Sequence, residues 1–420
     1  MSQLASSTGQ ASSTGQASST GQASSTGQAS STGQASSTGQ DLKQDDWLLK
    51  LDSWAYAYGE PEVSGLVKQS PEHFIVTEKM DVEPSGEGEH YWLDITKTRL
   101  NTDAVAKSLA RFSGVANRDV GYSGMKDFHA VTRQWFSVWR PKGEALEWSK
   151  YQFDGVQVNQ VVKHNRKIKR GTHKANHFQI RVLGLVIKDN VIVEKENAKN
   201  ASAEGIITLL DKRLNKIQKA GVPNYFGAQR FGRGANNIPQ ALAMFAGIKR
   251  VKDRNLRGIL LSSARSWLFN SVVSARVKAA TWQSLYLGEP ANLNGSNSTF
   301  SVADLEAETV RLNALDIHPT APMWGEQKPS EQNKPNEADK AGRNDQISPE
   351  LVELETIAMA EYTLLQRGLE NARVDYQRRA LRLVPIDFTW EHDNGDLCLS
   401  FELQRGQFAT SILRELVSEG

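Results

Sequence analysis

Apolar and polar positions alternate, or recur at helical spacing, in a series of segments that begins near residue 60, and each segment predicts an element. After Pro71 the run FIVTE places Phe74, Val76 and Glu78 on one face and Ile75 and Thr77 on the other, which is a strand. Val131 to Trp139 is β-branched and aromatic and reads as a second strand. His177 to Val182, HFQIRV, alternates in the same way. Asn101 or Thr102 can cap a helix that runs to about Phe112, with Val105, Leu109 and Phe112 at helical spacing. A longer helix, Ala203 to Ala220, aligns Ile206, Leu209, Leu210, Leu214 and Ile217 and is stopped by Gly221 and Pro223. From Arg257 the chain reads RGILLSSARSWLFNSVVSARV, a long amphipathic helix, followed by a loop and strand in GEPANLNGSNSTF. Leu381 to Trp390 and Leu397 to Leu403 are strand-like and flank HDNGD, where Asn394-Gly395 suits a tight hairpin.

Two stretches carry no such pattern. Residues 5 to 40 are six identical copies of ASSTGQ. A repeat of small polar residues has no apolar face with which to offset the entropy of ordering, so a disordered leader without a catalytic part is expected. Residues 326 to 350 are rich in Pro, Asn, Lys and Glu and are expected to form a mobile surface insertion.

Composition narrows the function classes. The chain has 420 residues, of which 39% are hydrophobic and 23% charged, the balance of a globular protein with more than one domain. No apolar run approaches the roughly 20 residues that a bilayer requires, and the amino terminus lacks the layout of a signal peptide, so a cytoplasmic protein is expected. The single cysteine, Cys398, excludes an internal disulfide framework and a cysteine-rich metal site. The eight histidines show no HExxH-like spacing. This inventory fits an enzyme without cofactor or metal.

The formal net charge of +2 says little about a partner, but its distribution says more. Lys163 to Lys174, KHNRKIKRGTHK, contains six Lys/Arg and no acid and leads into the HFQIRV strand. Lys163, Arg166, Lys167, Lys169 and Arg170 are candidate contacts to phosphates, which such a run neutralises by displacing counterions.

Candidate chemistry concentrates in Gly121 to Val138, GYSGMKDFHAVTRQWFSV. Gly121 and Gly124 permit backbone conformations that a Cβ forbids, so the chain can turn sharply or approach a ligand closely. Asp127 then sits at a bend held by the strand that follows. Taken alone, an aspartate after Lys126 reads as a turn cap or an ion pair. A second candidate is Pro223 to Gly232, PNYFGAQRFG. Asn224 offers a donor and an acceptor for a base edge, Phe226 a surface for a ring or ribose, and Arg230 a phosphate contact, although the phenylalanines also suit a packed turn.

These segments resemble the TruD family of tRNA pseudouridine synthases. The family segment G-x-K-D-x-x-A-x-T-x-Q is filled by Gly124, Lys126, Asp127, Ala130, Thr132 and Gln134. N-Y-F-G-x-Q-R-F-G is present residue for residue from Asn224. LVKQSPEHFIVTE resembles K-x-x-P-E-D-F-x-V-x-E, with His73 in place of an acid. LDIHPTAPMWG, Leu315 to Gly325, and GQFATSILREL, Gly406 to Leu416, resemble two further family segments. The resemblance spans roughly Leu66 to Leu416. It implies Asp127 as the catalytic aspartate and Lys68, Phe74, Asn224, Phe226 and Phe408 as substrate-binding residues.

The resemblance also implies an α+β fold: a mixed, largely antiparallel central sheet with a smaller α/β domain inserted at about 250–382. The catalytic domain would comprise 41–249 and 383–420. The expected substrate is tRNA, with uridine 13 as the target by resemblance, and the expected state is a monomer with no membrane or metal partner.

Converting uridine to pseudouridine breaks a C–N bond, rotates the uracil and rejoins it through carbon without redox change, so one carboxylate can suffice. It can attack the ribose anomeric carbon, attack the base, or remove a ribose proton. A cation such as Lys68 beside Asp127 would favour the ionised carboxylate. The base must leave its stack, and Phe74, Phe226 or Phe408 can hold it. A retaining glycosidase would need a second acid, which these motifs do not offer. A non-catalytic RNA-binding module would leave Asp127 without a task.

Overall fold

The computed structural model describes residues 44–188, 203–327 and 347–419, all within one compact unit, Leu42–Gly420. The ASSTGQ repeat and most of 326–350 lie outside the described residues. The first half of the chain builds the sheet. After helix α1 (Gln44–Asp52) come β1 (Val63–Val67), β2 (Phe74–Met80), β3 (His90–Thr98), α2 (Thr102–Ser113), β4 (Val120–Tyr122), β5 (Val131–Trp139), β6 (Val156–His164), β7 (His173–Ile187) and α3 (Ala203–Ala220).

The chain then passes through β8 (Val222–Pro223) into a helical region. Its elements are α4 (Asn237–Phe245), α5 (Arg254–Lys278), β9 (Pro290–Leu293), β10 (Thr299–Ser301), α6 (Leu305–Asn313), β11 (Ile317–His318), β12 (Thr320–Met323), α7 (Pro349–Met359), α8 (Thr363–Asn371) and β13 (Gln377–Ala380). It returns through β14 (Arg382–Leu383), β15 (Ile386–Asp393), β16 (Asp396–Gln404), α9 (Ala409–Leu416) and β17 (Ser418–Glu419).

Ten strands form one sheet with the main order β15-β16-β7-β2-β5-β3-β6, β1 joining β7 and β17, and β4 joining β5. It is largely antiparallel; β2 with β5 and β1 with β17 are the parallel pairs. The alternation expected for Phe74 to Glu78 is realised, with Phe74, Val76 and Glu78 buried and Ile75 and Thr77 only partly so. Their inward face joins Phe178, Ile180, Leu399 and Phe401 from neighbouring strands and Leu214, Ile217 and Ile412 from α3 and α9. Farther along the same face of the sheet, α2 covers Leu93, Ile95, Phe136 and Val138 with Val105 and Leu109. A third core surrounds α5, where Trp267 lies within 5.2 Å of the rings of Trp47, Trp54 and Phe231. Each such side chain contributes about 1.5–3 kcal/mol by leaving water.

Several boundaries match their sequence signals. β5 and α3 occupy the spans expected of them, and Asn394 and Gly395 adopt φ of 52° and 85°, the left-handed pair that a two-residue hairpin between β15 and β16 requires. The expected strand Leu381–Trp390 is instead two: Arg382–Leu383 pairs with β8, and the ladder resumes at Ile386, because Pro385 has no N–H to contribute. Among the described residues, no helix is long and apolar enough to cross a membrane.

The glycines before Asp127 work by space and not by dihedral, since neither Gly121 nor Gly124 has positive φ. A Cβ on Gly121 would stand 2.3 Å from the carbonyl oxygen of Ile168 and 2.7 Å from Ser137 Oγ, whereas one on Gly124 would meet nothing closer than 3.4 Å. We therefore expect Gly121→Ala to destabilise the fold by about 1–3 kcal/mol, as overpacking does, and Gly124→Ala by much less. Equal losses in denaturant midpoint for the two would contradict this assignment.

Candidate active site

Asp127 lies on the loop between β4 and β5, and the signature residues around it tie that loop to three elements. Lys126 reaches back to β2, where its Nζ donates to Glu78 Oε1 at 2.8 Å. Both side chains are almost wholly buried, at 5% and 0% exposure, and Glu78 Oε2 also accepts from the Trp135 amide. The Lys126 amide donates to Thr102 Oγ1 at 3.0 Å, at the start of α2. Thr102 in turn donates to Gln134 Oε1, and Gln134 Nε2 donates to the Gly124 carbonyl, each at 3.1 Å. Thr102 is thus spent on the loop, and Asn101 takes the cap position of α2. Ala130, Thr132 and Gln134 are fully buried.

Beneath the loop, Lys97 Nζ donates to the carbonyls of Asp127 (3.0 Å) and Leu100 (2.7 Å). Burial pushes its ammonium down to about 8, and the charge of Asp127 opposes that shift. His173, at the start of β7, packs against the same loop: its Nδ1 lies 2.5 Å from Ser123 Oγ, which itself accepts from the His173 amide. Burial, then Lys126 and Arg405, push the imidazole down to about 4.

The folded state therefore binds fewer protons at this histidine than the unfolded chain between pH 6.5 and 4. Its contribution is fully present above that window and is lost as pH falls through it, by about 3 kcal/mol in all. We expect the wild type to lose more stability between pH 7 and 4.5 than His173→Gln does; parallel acid titrations of the two melting temperatures would contradict this.

With its backbone and neighbours held, the Asp127 side chain faces a cleft of about 490 Å³. Lys68, Phe74, Met125, Phe128, Arg405 and Phe408 share the lining, and Asp127 is the single acid among the described lining residues. Its carboxylate is 35% exposed and lies 3.7 Å from Lys68 Nζ. Lys68 follows β1 in a left-handed conformation, φ 58°, a strained position for a residue with a Cβ. The same Nζ sits 3.8 Å from the centre of the Phe74 ring. Lys68 and Asp127 meet because β1 and β2 both pair with β7, while β2 also pairs with β5.

The remaining expected residues divide. Phe408, half-buried at the cap position of α9, lines the cleft directly. Phe74 is 1% exposed and packs edge-on against Phe178, so little of its ring is open. Phe226 does not line the cleft but backs Phe408, with centroids 5.7 Å apart. Asn224 is buried behind it, its Nδ2 donating to the Ala380 carbonyl and its Oδ1 accepting from Arg379. Arg230 stands beside both rings, 5.2 Å from Phe226 and 5.8 Å from Phe408.

The basic run lies on the flank that leads into β7. Arg166 and Lys169 are exposed, Lys163 Nζ covers the Tyr91 ring at 3.6 Å, and Lys167 donates to the Arg118 carbonyl. Arg170 covers the Tyr122 ring at 4.2 Å. Arg405, which lines the cleft, donates to the Gly171 carbonyl and so links this flank to the site.

Sequence reasoning missed Glu78, Lys97, Arg379 and Arg405. Glu78 had a signal, as the last residue of the segment that begins at Lys68. The other three depend on long-range contacts that no local pattern reports.

The family model described as "tRNA pseudouridine synthase D (TruD)" matches residues 50–239 and 240–416. The chain is 40% identical over 368 residues to the tRNA pseudouridine synthase D of Aeromonas salmonicida (strain A449), covering 87% of this chain and 94% of that protein. It is 39% identical over 369 residues to the same-named protein of Methylococcus capsulatus, with 87% and 94% covered. A solved structure described as the putative tRNA pseudouridine synthase D of Methanosarcina mazei shares the fold, with a TM-score of 0.63 at 20% identity over 86% of this chain and 95% of that one. The chain belongs to the TruD family of tRNA pseudouridine synthases.

Proposed function

We propose that this tRNA pseudouridine synthase isomerises its target uridine, uridine 13 by family resemblance, with Asp127 as the catalytic group and the base flipped into the cleft against Phe408. One observation carries the reading: the Lys126 and Gln134 side chains of the signature, with Thr102 beside them, are committed to holding the loop, and the Asp127 carboxylate is turned to the cleft as the single acid among its described lining residues. Lys68 places the opposite charge 3.7 Å from the carboxylate that would act on ribose or base. A cleft with a single acid does not suit a retaining glycosidase, which needs two carboxyl groups about 5 Å apart.

Lys68 and Phe408 would meet the nucleotide directly, and Phe74, 1% exposed, would act by backing Lys68 with its ring. Asn224 and Phe226 would act through the groups they hold, Arg379 and Phe408. Arg230 and the run Lys163, Arg166, Lys167, Lys169 and Arg170 would take phosphates, and a monomer without cofactor or metal would suffice.

We also read 250–382 as a domain inserted into the catalytic one. Two features support this: β8 pairs with β14 and so brings the ends of the excursion together, and β9 to β13 join small sheets apart from the ten-stranded one. Incubating the protein with unmodified tRNA and mapping the product by mass tests the function. Pseudouridine at one uridine is expected, and intact uridine throughout would overturn the reading.

A further inference from the structure

Phe226 is flanked by two guanidinium groups whose donors outnumber their acceptors. Arg379 Cζ lies 4.4 Å from the ring centre and Arg230 Cζ 5.2 Å. Arg379 Nη2 donates to Asn224 Oδ1 (2.8 Å) and the Gly406 carbonyl (2.9 Å), while its Nε is buried without a partner. Arg230 Nη1 donates to Ser262 Oγ at 3.0 Å. Neither arginine makes an ion pair among the described residues. Burial holds both below the usual arginine range, Arg379 down to about 9, and Arg230 adds its repulsion to Arg379.

Other arginines drawn into the fold are satisfied differently. Arg276 meets Glu289 and Arg378 meets Glu355. Arg213 and Arg382, without an ion pair among the described residues, each satisfy three acceptors. Both Arg230 and Arg379 are half-buried, and two like charges about one ring, one of them with a buried donor unpaired, are stabilised by an anion that completes them.

Their position says which anion. Arg230 lines a hollow of about 350 Å³ whose wall includes Gln229, Phe408 and Thr410, and these three also line the Asp127 cleft. Gly406, whose carbonyl Arg379 holds, lines the cleft as well. We propose that Arg230 and Arg379 form one seat for a single phosphodiester of the RNA strand, next to the nucleotide presented to Asp127. This rests on the function proposed above. A phosphate offers several acceptor oxygens to the spare donors and neutralises the repulsion between the two cations. Asn224 and Phe226 then serve as positioning residues, which hold Arg379 by hydrogen bond and by ring face.

The test is a cycle between protein charge and RNA charge. Substrate tRNAs carrying one neutral methylphosphonate, placed in turn at each phosphodiester around the target, are assayed with the wild type, Arg379→Gln and Arg230→Gln. At one position the neutral linkage should lower kcat/KM of the wild type by about 10–100-fold, the range of a charge-assisted hydrogen bond. It should lower that of either variant by less than about threefold, because the seat is already lost. Each variant should also reduce the slope of log affinity against log salt by about one.

Losses that multiply at every position, or a wild type indifferent to every neutral linkage, would overturn the proposal. If Arg379→Gln melts well below the wild type, Arg230→Gln, whose hydrogen bond is to Ser262 alone, carries the cycle. Failure of the underlying function would show separately, as absence of product from the wild type on unmodified tRNA.

Discussion

Asp127→Asn is expected to bind tRNA with the affinity of the wild type and to form pseudouridine at least about 10³-fold more slowly, the scale on which removal of a reacting carboxylate acts. The substitution is nearly isosteric and keeps the side chain where it stands. It removes the charge that faces Lys68 and, with it, the ability to attack carbon or take a proton. Little stability should be lost, because the carboxylate is 35% exposed and its ion pair, at 3.7 Å, is partly solvated. Nucleoside analysis of tRNA after single-turnover incubation gives the rate, and filter binding gives the affinity. Turnover within tenfold of the wild type would remove Asp127 from the mechanism.

The second large effect lies one residue earlier. Lys126→Met should cost about 3–5 kcal/mol, since it leaves the Glu78 carboxylate, 0% exposed, without its cation. Glu78→Gln added to it should return most of that loss: the neutral amide still accepts from the Trp135 amide and no longer needs a counter-charge. Activity should not return with stability. The lost ion pair is one of the ties that fix the loop, and a displacement of about 1 Å at the reacting group is enough for roughly 10²-fold in rate. Chemical denaturation of the single and double variants measures the first effect and single-turnover rates the second. A double variant as unstable as the single one would show that the ion pair does not carry the cost.

Local structure was legible where neighbours in sequence decide it. The alternation of β2, the β-branched run of β5, the apolar stripe of α3 and the Asn394-Gly395 turn each state their own geometry. The site was legible as a set of segments, because the glycine, lysine and aspartate of the signature sit close together in the chain. Their division of labour was not. That Lys126 belongs to Glu78, and Lys97 to the Asp127 carbonyl, depends on β2, β3 and β5 lying side by side, which follows from strand order and not from any one strand.

The same applies to the aromatics. Phe74, Phe226 and Phe408 look alike in sequence, yet tertiary packing buries the first two and leaves Phe408 at the cleft. Gly121 gives a smaller instance: the residue is required, but by the Ile168 carbonyl that crosses it and not by its own dihedrals.

A crystal structure of Asp127→Asn with bound substrate tRNA tests the central claim most directly. The account predicts the target uridine drawn out of its stack, its base against Phe408 and its anomeric carbon or ring within about 3.5 Å of the residue 127 side chain, the distance at which reacting atoms engage. A uridine still stacked in the tRNA, or seated in another hollow beyond reach of that side chain, would contradict it.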